Sequence, residues 1–164
     1  MRRPLRIEPG PGQESVWDYP RPPALVACSY LVEVRCGDQL IASTTGSFRV
    51  LETSHPPSFY LPSDDIAAGS LRVAGGGSVC EWKGRASYWD VMAGTGVIPG
   101  AAWSYPAPTP AFAAIAGFVS FYPAMVVCTV DGVVVEPQAG GFYGGWITPD
   151  VVGPFKGEPG TTWW

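Results

Sequence analysis

One pattern occurs twice in this chain, and out of order. Trp17-Asp18-Tyr19-Pro20-Arg21-Pro22 and Trp103-Ser104-Tyr105-Pro106-Ala107-Pro108 both read W-x-Y-P-x-P. Each precedes an apolar, strand-like run that ends in a turn signal, Val32 to Asp38 and Met125 to Gly132. Phe59-Tyr60 with Pro62-Ser63-Asp64-Asp65-Ile66 is echoed by Phe142-Tyr143 with Thr148-Pro149-Asp150-Val151-Val152. Glu81-Trp82-Lys83-Gly84 is echoed by Pro154-Phe155-Lys156-Gly157, each with Trp a few residues on. Internal repeats constrain architecture more than any local signal. The order here predicts one complete unit, about residues 37–130, and a second unit split between residues 17–36 and 131–164. An internal pseudo-twofold follows, within one compact domain over residues 17–164 led by a flexible segment, residues 1–16.

A chain of 164 residues buries about 70% of its unfolded surface, enough for a true core. Charged residues are only 15% and hydrophobic residues 46%, which excludes a disordered chain. Gly and Pro are abundant but scattered, so they punctuate short elements. The net charge of -4 argues against phosphate-backbone binding, which needs clustered Lys and Arg, so no nucleic-acid partner is expected. Met1-Arg2-Arg3 runs into Pro4, Pro9, Gly10 and Pro11 where a signal peptide would have its apolar region. The longest apolar stretch, near Ala111–Val119, is too short to span a bilayer. Cytoplasmic residence without a membrane partner is the expectation.

Short strands dominate the local reading. Leu25–Arg35 alternates around β-branched residues and turns at Gly37-Asp38 into Gln39–Ser43. Phe48–Leu51 is a strand broken by Pro56-Pro57, and Ser58–Leu61 follows. Ser78–Trp82 and Ala86–Val91 form a hairpin over Lys83-Gly84-Arg85. Gly75-Gly76-Gly77 reads as a hairpin loop. Val119–Tyr122, Met125–Val130 and Val133–Val135 are strands, the last two joined by Asp131-Gly132. Trp146–Thr148 is one further strand in a glycine- and aromatic-rich tail. Two short helices are expected, one capped by Ser63 and one over Pro110–Ala116 capped by Thr109. The fold class is therefore all-β, with one or two short helices and antiparallel sheets.

The four cysteines contain no C-x-x-C pair, so neither a structural zinc nor another metal is expected. On one straight strand Cys28 and Cys36 would stand about 26 Å apart, too far to share a bond. Free, mostly buried thiols are the reading, and no cofactor is called for.

Three long motifs carry a family resemblance. They are Leu51-Glu52-Thr53-Ser54-His55-Pro56-Pro57-Ser58-Phe59-Tyr60-Leu61-Pro62, Cys80-Glu81-Trp82-Lys83-Gly84-Arg85-Ala86-Ser87-Tyr88-Trp89-Asp90-Val91, and Ala102-Trp103-Ser104-Tyr105-Pro106. The sequence resembles the bacterial family called domain of unknown function 427, in a longer, duplicated form. That resemblance implies a β-tent-like architecture, two small antiparallel sheets meeting at an angle. β-tent relatives often pin their sheets with four zinc-binding cysteines, but the paired spacing is missing here. The nucleotidyl-transfer chemistry sometimes attached to the family needs a Gly-rich phosphate loop leading a helix or an Asp-x-Asp metal pair, and this sequence has neither.

Candidate functional residues cluster in the same motifs. His55, the only histidine, sits beside a chain break and carries a ring suited to acid–base work near neutrality; the bland alternative is a histidine that anchors its turn. Glu52 and Lys83 are the other polar candidates, to move a proton or steady a developing charge. Tyr60, Trp82, Arg85, Tyr88, Trp89 and Trp103 are the expected ligand-binding set, walls and rim of a pocket in the central unit. Cys80 as a nucleophile would need His55 nearby; an inert thiol is the simpler reading. Three functions compete. The first is binding of a small, partly apolar or cationic molecule by aromatic contact. The second is an acid–base enzyme acting on a small metabolite. The third is an interaction protein, a homo-oligomer, whose aromatic patches are its interfaces.

Overall fold

The computed structural model describes residues 4–94 and 96–164. Met1, Arg2 and Arg3, the start of the expected lead-in, lie outside the described residues. The fold is β-dominated, with antiparallel sheets and three short 3-10 helices, Val16–Asp18, Ser63–Asp65 and Pro110–Ile115, among those residues. Both expected helices are thus 3-10 turns. Pro62 rather than Ser63 precedes the first, and neither it nor Thr109 makes a side-chain cap bond.

Three sheets carry most of the structure. One has the order Ala24–Cys28, Ser47–Leu51, Ser58–Tyr60. The second runs Val133–Val134, Val127–Val130, Val32–Cys36, Gln39–Thr44. The third runs Val119–Phe121, Gly96–Ser104, Gly84–Ala93, Leu71–Cys80. The first and third meet edge to edge where Leu61 and Val119 exchange two backbone hydrogen bonds of 2.8 Å. This seam draws the two sheets into one curved wall, and among the described residues no closed barrel forms.

Several sequence expectations need correction here. Leu25–Arg35 is not one strand. It breaks at Ser29-Tyr30-Leu31, so that Ala24–Cys28 and Val32–Cys36 join different sheets and Cys28 and Cys36 part company. Gly75-Gly76-Gly77 is not a hairpin loop. It lies inside the strand Leu71–Cys80, where the pairing slips between Val73 and Gly77 and Gly76 takes a φ of 84°. A bulge needs that freedom, which only glycine has at low cost. No strand was expected over Gly96–Ser104, a strand that contains Pro99 and Gly100. They sit opposite a second slip, between Trp89 and Val91, and there the Gly100 N–H donates to the Asp90 carboxylate at 2.9 Å instead of to the ladder.

The two ends of the chain meet. Glu14–Ser15 pairs in parallel with Val151–Val152, the Ile7 N–H donates to Gly153 O at 3.0 Å, and Arg6 pairs with Asp18. Residues from Ile7 on, expected in a flexible lead-in, thus hydrogen-bond to the C-terminal segment. Trp17 Nε1 donates to Pro154 O at 2.8 Å, and the Trp17 ring meets that of Trp164 edge-on at 5.3 Å. The tail is pinned to the centre by Trp146. Its indole is fully buried, stacks on Phe59 at 4.8 Å, and donates to Phe121 O at 2.9 Å. Buried indoles need such a partner for their N–H.

Candidate functional site

The curved wall has a hollow side. On it lies a cleft of about 360 Å³, bounded below by Tyr60, Trp103, Tyr105 and Tyr122 and above by the tail. Strand alternation decides which residues reach it. On Gly84–Ala93, Ala86 and Tyr88 face the cleft. Their neighbours Arg85 and Trp89 do not, because adjacent residues of a strand face opposite sides. Arg85 is exposed, and Trp89 packs on the other core with its Nε1 donating to Ser104 Oγ at 2.9 Å. These two members of the expected ligand-binding set therefore stand outside the cleft. Glu52, His55, Lys83, Tyr60, Trp82, Tyr88 and Trp103 are brought together in it.

His55 is placed by a backbone turn. Ser54 adopts a φ of 73°, unusual for a side chain larger than glycine. Two distant segments hold this turn with three bonds: the Ser54 N–H donates to Val16 O, Thr53 Oγ1 donates to Tyr19 O, and the Lys156 N–H donates to Ser54 O. Pro56-Pro57 then keeps the chain out of the ladder until Ser58 pairs with Val50. The imidazole points inward, packed edge-on against Tyr143 at 5.3 Å.

Gln138 fixes the proton on that ring. The Gly145 N–H donates to Gln138 Oε1 at 3.1 Å, and Gln138 Nε2 donates to Lys156 O at 2.7 Å. The amide orientation is thereby set, so its second N–H is the donor to His55 Nδ1 at 3.2 Å. The neutral ring accordingly carries its hydrogen on Nε2, which lies 3.7 Å from Glu52 Oε2. Burial, then the positive charges of Lys156, Arg21 and Lys83, push the His55 pKa down to about 4. His55 is a neutral hydrogen-bond donor at physiological pH. Glu52 also lies 3.7 Å from the Arg21 guanidinium.

Lys83 belongs to the turn that closes the long hairpin, Cys80 opposite Gly84. Gly84 has a φ of 107°, and the Thr109 N–H and hydroxyl bind the carbonyls of Lys83 and Trp82. The turn is thus clamped on the proline-rich segment that follows Trp103. The Lys83 ammonium stands 5.7 Å from the centre of the Tyr105 ring and 5.9 Å from that of Phe112, within cation–π range. The strand ends at Cys80, earlier than the alternation to Trp82 suggested, so Trp82 and Lys83 both turn toward the cleft.

A belt of phenols completes the floor. Trp103 Nε1 donates to the Tyr60 hydroxyl at 3.0 Å, and the Tyr88 and Ser78 hydroxyls share a hydrogen bond of 2.9 Å. Burial raises the pKa of Tyr60 and Tyr105 far above the usual phenol range and pushes Tyr122 up to about 12, so all three keep their protons. Cys80 also lines the cleft, while burial pushes the Cys128 thiol up and leaves it inert. All four cysteines are free, and among the described residues no group of His, Cys, Asp or Glu is arranged to hold a metal.

The sequence reading missed the upper wall. Gln138, Phe142, Tyr143 and Lys156 come from the tail, so the cleft lies between the central unit and the tail, not within the central unit alone. Two signals pointed there: the second Lys-Gly pair, and the glycines around Phe142-Tyr143. A Cβ on Gly144 would stand 2.8 Å from Trp103 Cζ3 and closer still to Cη2; one on Gly145 would stand 2.5 Å from Gln138 Oε1 and 2.6 Å from Pro56 Cγ. The tail crosses so near Trp103 that only glycine fits.

Fold and cleft together define a β-sheet protein with one face hollowed into an aromatic-floored site. The model of the family described as "Domain of unknown function (DUF427)" matches residues 24–136, most of the chain, and the protein belongs to that family. Among curated proteins no significant match to the sequence is found. Among the described residues no helix is long and apolar enough to cross a membrane.

Proposed function

We propose that this protein binds a small molecule in the cleft between the central unit and the tail. The convergence of residues 50–60, 78–88, 103–122 and 138–156 on one hollow of about 360 Å³ carries the reading. Metabolite-sized sites have such volumes, aromatic walls and a few placed polar groups. His55 favours binding over acid–base catalysis. A ring with a pKa near 4 is a poor proton acceptor at neutral pH, but its Nε2–H is a fixed donor.

The two Lys-Gly turns support the split repeat as the origin of this site. Gly84 and Gly157 both have left-handed φ, 107° and 129°, and Lys83 and Lys156 each hold their ammonium within 6 Å of a tyrosine ring. Both lysines line the one cleft.

Native mass spectrometry of freshly purified protein tests the reading. The expected spectrum contains a complex with one small molecule per chain. Lys83→Ala and Tyr88→Phe reduce that complex while the melting temperature stays nearly constant. A spectrum of bare chain, identical in the wild type and both variants, contradicts it.

A further inference from the structure

The charges around the cleft are unevenly satisfied. Glu52 lies beside Arg21 and His55, the Lys156 ammonium donates to Trp164 O at 3.2 Å, and Arg49 is bound by Glu14 at 2.7 Å. Lys83 is the exception. It is half-buried, yet among the described residues no carboxylate or hydrogen-bond acceptor partners its ammonium; only the faces of Tyr105 and Phe112 flank it. A half-buried ammonium without an anion is costly unless something supplies one.

Several of the other polar groups in the lining can donate. His55 presents Nε2–H, and the buried phenols remain protonated. A cationic ligand would find one carboxylate inside, Glu52, already beside a guanidinium, while Glu81 at the rim is exposed to solvent. It would also meet Lys83 and Lys156. The field at His55 reports the same sign, since Lys156, Arg21 and Lys83 all oppose its protonation. A phosphate dianion is poorly served as well, because among the described residues lining the cleft Lys83 is the only unpartnered cation and no glycine-rich loop leads a helix there.

We propose that the cleft takes a planar organic monoanion, an aromatic or unsaturated carboxylate, with the carboxylate on the Lys83 ammonium and the planar body against the aromatic floor. This rests on the small-molecule reading above and gives the ligand its chemical class. It replaces the partly apolar or cationic ligand of the sequence analysis with an anionic one.

Three probes of one shape separate the two ideas: benzoate, benzamide and benzamidine, titrated into the full chain and followed by 1H–15N NMR at one pH and ionic strength. Benzoate is expected to shift the Trp103 indole and the Lys83-Gly84 amides and to bind at least roughly tenfold tighter than either analogue, the scale of one charge-assisted contact. Lys83→Met should bring benzoate down to the level of benzamide, and Glu52→Gln should tighten benzoate several-fold or leave it unchanged. If Lys83→Met does not fold, the comparison on the unaltered chain decides alone. Benzamide or benzamidine binding as tightly as benzoate at the same resonances overturns the anion assignment and leaves the binding reading standing. No shift at these resonances with any of the three overturns both.

Discussion

Acidification should destabilise this protein through a single imidazole. The His55 side chain is only 17% exposed, and its pKa falls from 6.5 to about 4 on folding. Between those values the unfolded chain binds the proton and the folded chain does not. Stability from this group is therefore complete above pH 6.5 and is lost as pH falls toward 4. The full difference corresponds to about 3 kcal/mol, and about 2 kcal/mol of it is gone by pH 5. Glu14, hydrogen-bonded by Arg49, and Asp90, hydrogen-bonded by the Gly100 N–H and then by Arg72, have pKa values lowered from 4.5 and 3.8, so their contribution is kept down to pH 5 and is lost only at lower pH. Urea unfolding followed by tryptophan fluorescence between pH 7 and pH 5 should show the loss. His55→Gln should flatten the profile across that range. Because His55 is the only histidine, its ring proton gives one NMR titration curve, with an expected midpoint near 4. A midpoint near 6.5, or an unchanged stability profile in His55→Gln, would refute the picture of a buried, neutral ring held by Gln138.

Gly144→Ala should force Trp103 or the tail to move by about 1 Å. The expected cost is about 1–3 kcal/mol in unfolding free energy, with weaker ligand binding read by the same titration; a neutral effect on both would show that the tail does not rest on Trp103. Trp146→Ala should cost about 3–5 kcal/mol by denaturant unfolding, because it removes a fully buried indole between Phe59 and Phe121. Elemental analysis of purified protein should find no stoichiometric zinc, and one zinc per chain retained after mild chelation would overturn the free-thiol reading of Cys28, Cys36, Cys80 and Cys128.

Much of the wall was legible because alternation and chain breaks are local. Pro56-Pro57 ends a strand wherever it occurs, and Asp131-Gly132 takes the two left-handed values, 48° and 81°, that a tight hairpin needs. The same alternation could have removed Arg85 and Trp89 from the expected set, since both stand at odd positions of a strand whose even positions, Ala86 and Tyr88, face the cleft. Gly96–Ser104 was obscured because bulges tolerate the residues that otherwise end strands. The upper wall was hardest to read. Gln138, Tyr143 and Lys156 lie in a tail without periodicity, and their positions depend on contacts with Ser54, Trp103 and Pro56 far away in sequence. Only the recurrence of Lys-Gly and the need for glycine beside Trp103 mark them.

A crystallographic fragment screen tests the central claim most directly. Soaked compounds should concentrate in the hollow between Trp103, His55, Lys83 and Tyr143 more than at any other place on the protein. Fragments that occupy other surfaces and leave this hollow to water would contradict it.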